Sequence, residues 1–151
     1  MKNIQNREYV FGSIFALANR LQALGDKMDE NVTVKQWFFI ATISMVNSNP
    51  SISEISKLIG TSRQNTKKMA LLLQNQGFLI IQEDESDKRI SRISLTQKCF
   101  EYFQGRQSME EEFMKSLFQG FSQKNIEDLS NGIALLMNNL EKMEIKNEDN
   151  A

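Results

Sequence analysis

Apolar positions recur along the chain at helical spacing near both ends and alternate only in one stretch beyond its middle. Val10, Ile14, Leu17, Leu21 and Leu24 follow at spacings of four, three, four and three, which predicts a helix over about Asn6 to Leu24 with a heptad-like seam. Gly25-Asp26 and the polar residues to Asn31 close it. Thr33 is placed to cap a second helix through Ser44. Trp37-Phe38-Phe39-Ile40 makes that helix apolar around most of its circumference, so it is expected to be buried, with its aromatics in the core.

Ser51 and Glu54 have the spacing of a capping box and open a third helix, whose inner face is expected to carry Ile55, Leu58 and Ile59. Gly60 can take the left-handed conformation that turns the chain, and Ser62 is placed to cap a fourth helix running to about Gln76. On that helix Ser62, Thr66, Met69 and Leu73 share one side, while Arg63, Gln64 and Lys67 point away and Lys68 lies at the border. Gly77 ends the helix. Phe78 to Ile81 then reads as a strand, Gln82 to Asp87 as a charged turn and Arg89 to Leu95 as a returning strand. Two short helices about a glycine turn make a helix-turn-helix, and a hairpin directly behind one is the wing of a winged helix.

Helical spacing returns after Thr96, with Phe100, Phe103, Phe113 and Leu117 ahead of a break at Gly120 and a cap at Ser122. Ile126, Leu129, Ile133, Leu136, Leu140 and Met143 then repeat at three, four, three, four and three, the pattern of a helix that packs on helices, expected to be those of a second copy rather than of an ordinary intrachain bundle. Lys146 to Ala151 is expected to fray. The expected class is mainly α (α+β): a winged helix-turn-helix over residues 33–96, and a helical homodimerisation region over 1–32 and 97–151. Val10, Ile14, Leu17 and Leu21 and the six residues from Ile126 to Met143 are its predicted dimer contacts.

Composition narrows the chemistry. The 151 residues, 40% of them hydrophobic, suffice for one structural unit per chain. There is no histidine and only one cysteine, Cys99, so the commonest general base, a catalytic Cys-His pair and a four-cysteine zinc site are absent. An enzyme is not expected, nor a cofactor or metal. Cys99 is expected to be a buried, inert thiol rather than a redox switch. No apolar run has transmembrane length, and Met1 to Arg7 lacks the apolar core of a secretory signal, so the expected location is the cytoplasm.

Charge changes the picture more. The formal net charge is −1, yet the run from Ile55 to Gln82 holds Lys57, Arg63, Lys67 and Lys68 and no acid. A cationic island on a helix-turn-helix is where the phosphates of double-stranded DNA would sit. Arg63, Gln64 and Asn65 occupy the first turn, where side chains can reach base edges, and Lys67 and Lys68 would neutralise phosphate beside the N-H groups near Ser62. The rival expectation is a dimeric winged-helix scaffold for protein partners that binds no DNA.

The segment Ser51 to Thr96 resembles the multiple-antibiotic-resistance regulator family, MarR. Ser51-x-x-Glu54-Ile55-Ser56-x-x-Ile59-Gly60-x-Ser62-Arg63 is similar to the family's entry to its helix-turn-helix. Leu73-x-x-x-Gly77-Phe78-Leu79 is similar to the end of its recognition helix, and Asp87-Lys88-Arg89 followed by Leu95-Thr96 to its wing signature. Cys99 stands where the family commonly has glycine, and Glu83-Asp84-Glu85 makes an unusually acidic wing edge. The resemblance implies a homodimeric, operator-binding regulator, with repression the default. It implies that Asp87 braces Arg89 for the minor groove, with Lys88 or Arg92 nearby. It also implies a small aromatic or anionic effector, for which Phe11, Phe15, Trp37 and Phe38 are the candidate contacts.

Overall fold

The computed structural model describes residues 5–150; residues 1–4, part of the stretch read for a secretory signal, and Ala151 lie outside the described residues. Eight elements follow in the order α1 (Asn6–Gly25), α2 (Val34–Ser44), α3 (Ile52–Ile59), α4 (Arg63–Asn75), β1 (Leu79–Glu83), β2 (Ser91–Leu95), α5 (Gln97–Leu117) and α6 (Gln123–Asp149). Where composition predicts one structural unit, the chain divides into two compact ones, the first ending at Gln104 and the second beginning at Gly105. The first therefore takes in α1 and the opening turns of α5 as well as the expected winged-helix segment.

Packing explains why that unit extends so far. Gly25 ends α1 with the Val34 side chain lying where any Cβ would have to stand, and the Asp26 carboxylate accepts from the Val34 N-H at 2.8 Å. The pair of contacts seats α1 on the start of α2. At the other end Cys99, Tyr102 and Phe103 of α5 join the core, and the Tyr102 hydroxyl donates to Asp29 at 2.6 Å. Phe78, Tyr102 and Phe103 form an aromatic cluster with centroids 5.1 to 6.2 Å apart.

The core gathers Val32 before α2, Phe39, Ile40 and Ile43 of α2, Ile52 and Ile55 of α3, Ala70 and Leu73 of α4, and Leu79 and Ile93 of the sheet. Two expectations fail here. Trp37 and Phe38 lie on the exposed side of α2, because one helix face is enough to fill the core and Phe39 with Ile40 already fills it. Leu58 is exposed as well; Ile52, not Leu58, completes the inner face of α3.

The sheet is a two-stranded antiparallel ribbon in which Ile81 pairs with Ile93 and Glu83 with Ser91. The first strand thus continues through Gln82 and Glu83, predicted as turn, and Arg89 and Ile90 belong to the turn instead of the returning strand. Ladder pairing outweighs the low strand propensity of the two charged and polar residues. β2 also lies against the residues ahead of α3, where the Ile93 N-H donates to the Pro50 carbonyl at 2.9 Å.

In the second unit the Ser122 hydroxyl accepts from the Asn125 N-H at 3.1 Å and starts α6, which stays helical to Asp149 where fraying is predicted from Lys146. None of its residues is buried, and Ile126, Leu129, Ile133, Leu136, Leu140 and Met143 all remain exposed. Among the described residues no helix is long and apolar enough to cross a membrane, and no group of three or more acidic or cysteine side chains could hold a metal ion.

Candidate nucleic-acid interface

Local hydrogen bonds fix each turn of the helix-turn-helix. The Ser51 hydroxyl accepts from the Glu54 N-H at 3.1 Å while the Glu54 carboxylate accepts from the Ser51 N-H at 2.6 Å, and this contact holds the Glu54 carboxyl below its ordinary range. Gly60 sits at φ 78°, which a side chain would resist, and its N-H donates to Ser56. The Ser62 hydroxyl then caps α4 by accepting from the Asn65 N-H at 3.1 Å. Buried beneath that turn, the Ser56 and Thr66 hydroxyls lie 2.8 Å apart, and Thr66 donates to the Ser62 carbonyl at 2.9 Å. The pair links α3 directly to α4.

Thr66, Ala70 and Leu73 face the core, which leaves Arg63, Gln64, Asn65, Lys67 and Lys68 exposed together on the other side of α4. Among the described residues, Arg63, Lys67 and Lys68 have no carboxylate within ion-pair distance. The far end of α4 is secured by α5. Lys98 donates to the Gln76 carbonyl at 2.7 Å and Thr96 to the Gly77 carbonyl at 2.6 Å.

The wing presents a second cation. Asp87 holds Arg89 through two bonds, Nε to Oδ1 at 3.0 Å and Nη2 to Oδ2 at 2.8 Å, and Oδ1 also accepts from the Arg89 N-H at 3.0 Å. The guanidinium lowers the Asp87 carboxyl, and its own loss of a proton becomes still harder. The Arg89 side chain is nevertheless 90% exposed. Braced but uncovered, it can turn toward an anion. Lys88 beside it is exposed.

No protein-family profile matches the chain. It is 26% identical over 122 residues to the transcriptional repressor MprA of Escherichia coli K12, a match covering 79% of this chain and 69% of that protein. A MarR protein from Peptoclostridium difficile superposes with a TM-score of 0.81 at 19% identity, covering 97% of this chain and 95% of that one. The fold also matches that of MepR from S. aureus in complex with DNA, with a TM-score of 0.75 at 16% identity over 91% of this chain and 99% of MepR. The chain has the fold of MarR regulators. MprA is a transcriptional repressor, and MepR was solved bound to DNA.

On this MarR scaffold the residues singled out from the sequence separate into two groups. Arg63, Gln64, Asn65, Lys67, Lys68, Lys88 and Arg89 are exposed, with Ser62 as the cap and Asp87 as the brace. Arg92 differs, because its guanidinium is turned inward to Asp84 at 2.5 Å and to the Asn49 carbonyl at 3.1 Å. Cys99 is buried, and desolvation pushes its thiol up to about 11. Of the aromatics read as effector contacts, Phe11 and Phe15 pack edge to face at 5.3 Å, and all four, with Trp37 and Phe38, are exposed. Sequence reasoning missed the Ser56-Thr66 pair and the Arg92-Asp84 pair. The strand register held the one available signal, since Asp84 bonds Ile90 across the ribbon and Arg92 is its diagonal neighbour.

Proposed function

We propose that this protein is a DNA-binding regulator, acting as a homodimer that sets the two α4 helices into successive major grooves of a pseudo-palindromic operator, about 34 Å apart along B-DNA. Arg63 pairs with guanine, Gln64 or Asn65 with adenine, and Lys67 and Lys68 with phosphate. Arg89, braced by Asp87, enters the minor groove with Lys88 alongside. Occupancy represses by covering the promoter. The observation that carries this reading is the unpaired cationic side of α4, joined to a core-facing side of Thr66, Ala70 and Leu73 that fixes its direction.

Dimerisation is supported by the uncovered stripe of α6 from Ile126 to Met143 and by Val10, Ile14 and Leu17 of α1, exposed at heptad-like spacing, with Leu21 half-buried. A small aromatic or anionic effector, taken up against Phe11, Phe15, Trp37 and Phe38, releases the operator by favouring another separation of the recognition helices. Titration of a labelled duplex, selected by the protein from a random pool, tests the docking. Arg63→Ala and Arg89→Ala should each weaken binding by about 1 to 3 kcal/mol at physiological salt. Unchanged affinity in both variants would overturn it.

A further inference from the structure

We infer that Arg92 is a positioning residue that works through Asp84 to aim the wing's Arg89, and that it does not itself contact DNA. Its guanidinium reaches three segments of the first unit at once. Nε donates to Asp84 Oδ1 in the wing turn at 2.5 Å, Nη1 donates to the Asn49 carbonyl ahead of α3 at 3.1 Å, and Nη1 lies 3.4 Å from Glu54 Oε2 in the first turn of α3. One side chain thereby ties the wing tip to the entrance of the helix-turn-helix.

The connection runs onward from Asp84. Its second oxygen accepts from the Ser86 N-H at 3.0 Å and from the Asp87 N-H at 3.1 Å, which fixes the turn at the residue whose carboxylate grips Arg89. Arg92, Asp84, the Asp87 backbone, the Asp87 carboxylate and Arg89 thus form an unbroken series of bonds. Electrostatics exclude a direct role for the first member. Arg92 brings one positive charge to two carboxylates, so the local sum is negative and a phosphate would have to displace partners already in place. Its side chain is 35% exposed against 90% for Arg89. The acidic wing edge gains a purpose, since Asp84 is the keystone of the turn.

The inference rests on the proposed engagement of DNA by the wing, and a double-mutant cycle on the pool-selected duplex separates the two. Arg92→Gln should weaken binding about three- to tenfold in the native background and have no further effect once Arg89→Ala is present. The salt dependence should keep its slope in Arg92→Gln and lose about one unit in Arg89→Ala, because only the latter removes a counterion-releasing contact. Arg92→Lys, which keeps the charge but cannot span the three acceptors, should bind as weakly as Arg92→Gln. Asp84→Asn gives an opposite sign: loss of a negative charge would tighten binding if charge alone mattered, whereas loss of the brace weakens it. Should Arg92→Gln misfold by circular dichroism, Asp84→Asn carries the same cycle. Additive losses, a shallower slope for Arg92→Gln, recovery in Arg92→Lys or tighter binding by Asp84→Asn would overturn the inference. An unaltered affinity in Arg89→Ala would instead remove the wing from the interface altogether.

Discussion

The winged helix and α6, which lie in different compact units, handle their apolar side chains in opposite ways. In the unit ending at Gln104, Ile55, Ala70, Leu73 and Ile93 are fully buried by neighbours from the same chain. In the unit from Gly105, α6 carries an equally regular apolar series and none of it is buried. Removing such a stripe from water is the largest favourable term available to it, at about 25 cal/mol per Å². A regular hydrophobic pattern therefore specifies that burial is needed without specifying which chain supplies the cover. The winged helix is complete alone, and α6 acquires its reason in the proposed dimer.

The sharpest way to break this contrast is to damage each unit in turn. Leu73→Ala removes a fully buried side chain and should cost about 2 to 5 kcal/mol of unfolding free energy, read by urea denaturation at a fixed protein concentration. Ile133→Ala with Leu136→Ala should leave that core intact. Its effect should fall on assembly, a loss of about 1 to 3 kcal/mol per side chain seen as a rise in the dimer dissociation constant by sedimentation equilibrium. A monomeric native protein, or an α6 variant that loses core stability without changing its mass, would erase the distinction.

Acid should produce the smallest effect and confine it to the wing. Asp84 and Asp87 are held below their ordinary range, chiefly by hydrogen bonds from Arg92 and Arg89 respectively. A depressed folded value means the folded chain binds fewer protons than the unfolded one. The contribution is fully present well above about pH 3.9, the unfolded value, and disappears as pH falls through the lower folded values. Hydrogen exchange of the Ser86, Asp87 and Arg89 amides should speed up in that window before the Leu73 amide does. Simultaneous loss of protection would mean that the brace and the core unfold together.

How much of this was legible beforehand depended on the range of the interaction. Ser51 with Glu54, Gly60 and Ser62 announce their roles because the partners lie within a few residues and the backbone geometry follows from the side-chain type. The apolar spacings likewise located every helix, and the alternation after the wing turn located the ribbon. Trp37, Phe38 and Leu58 were misplaced because periodicity ranks faces by hydrophobicity but does not say how many faces the core has room for.

The sequence by itself determined the order of the elements, their caps and the cationic side of the recognition helix, since all three rest on contacts one or two turns long. Tertiary structure alone decided which cations stay available. Arg89 and Arg92 are three residues apart with the same side chain, yet one is left to solvent and the other is drawn to Asn49, Glu54 and Asp84. Two of those acceptors lie about forty positions away in the chain, and only the packing of the wing against the start of α3 brings them within reach.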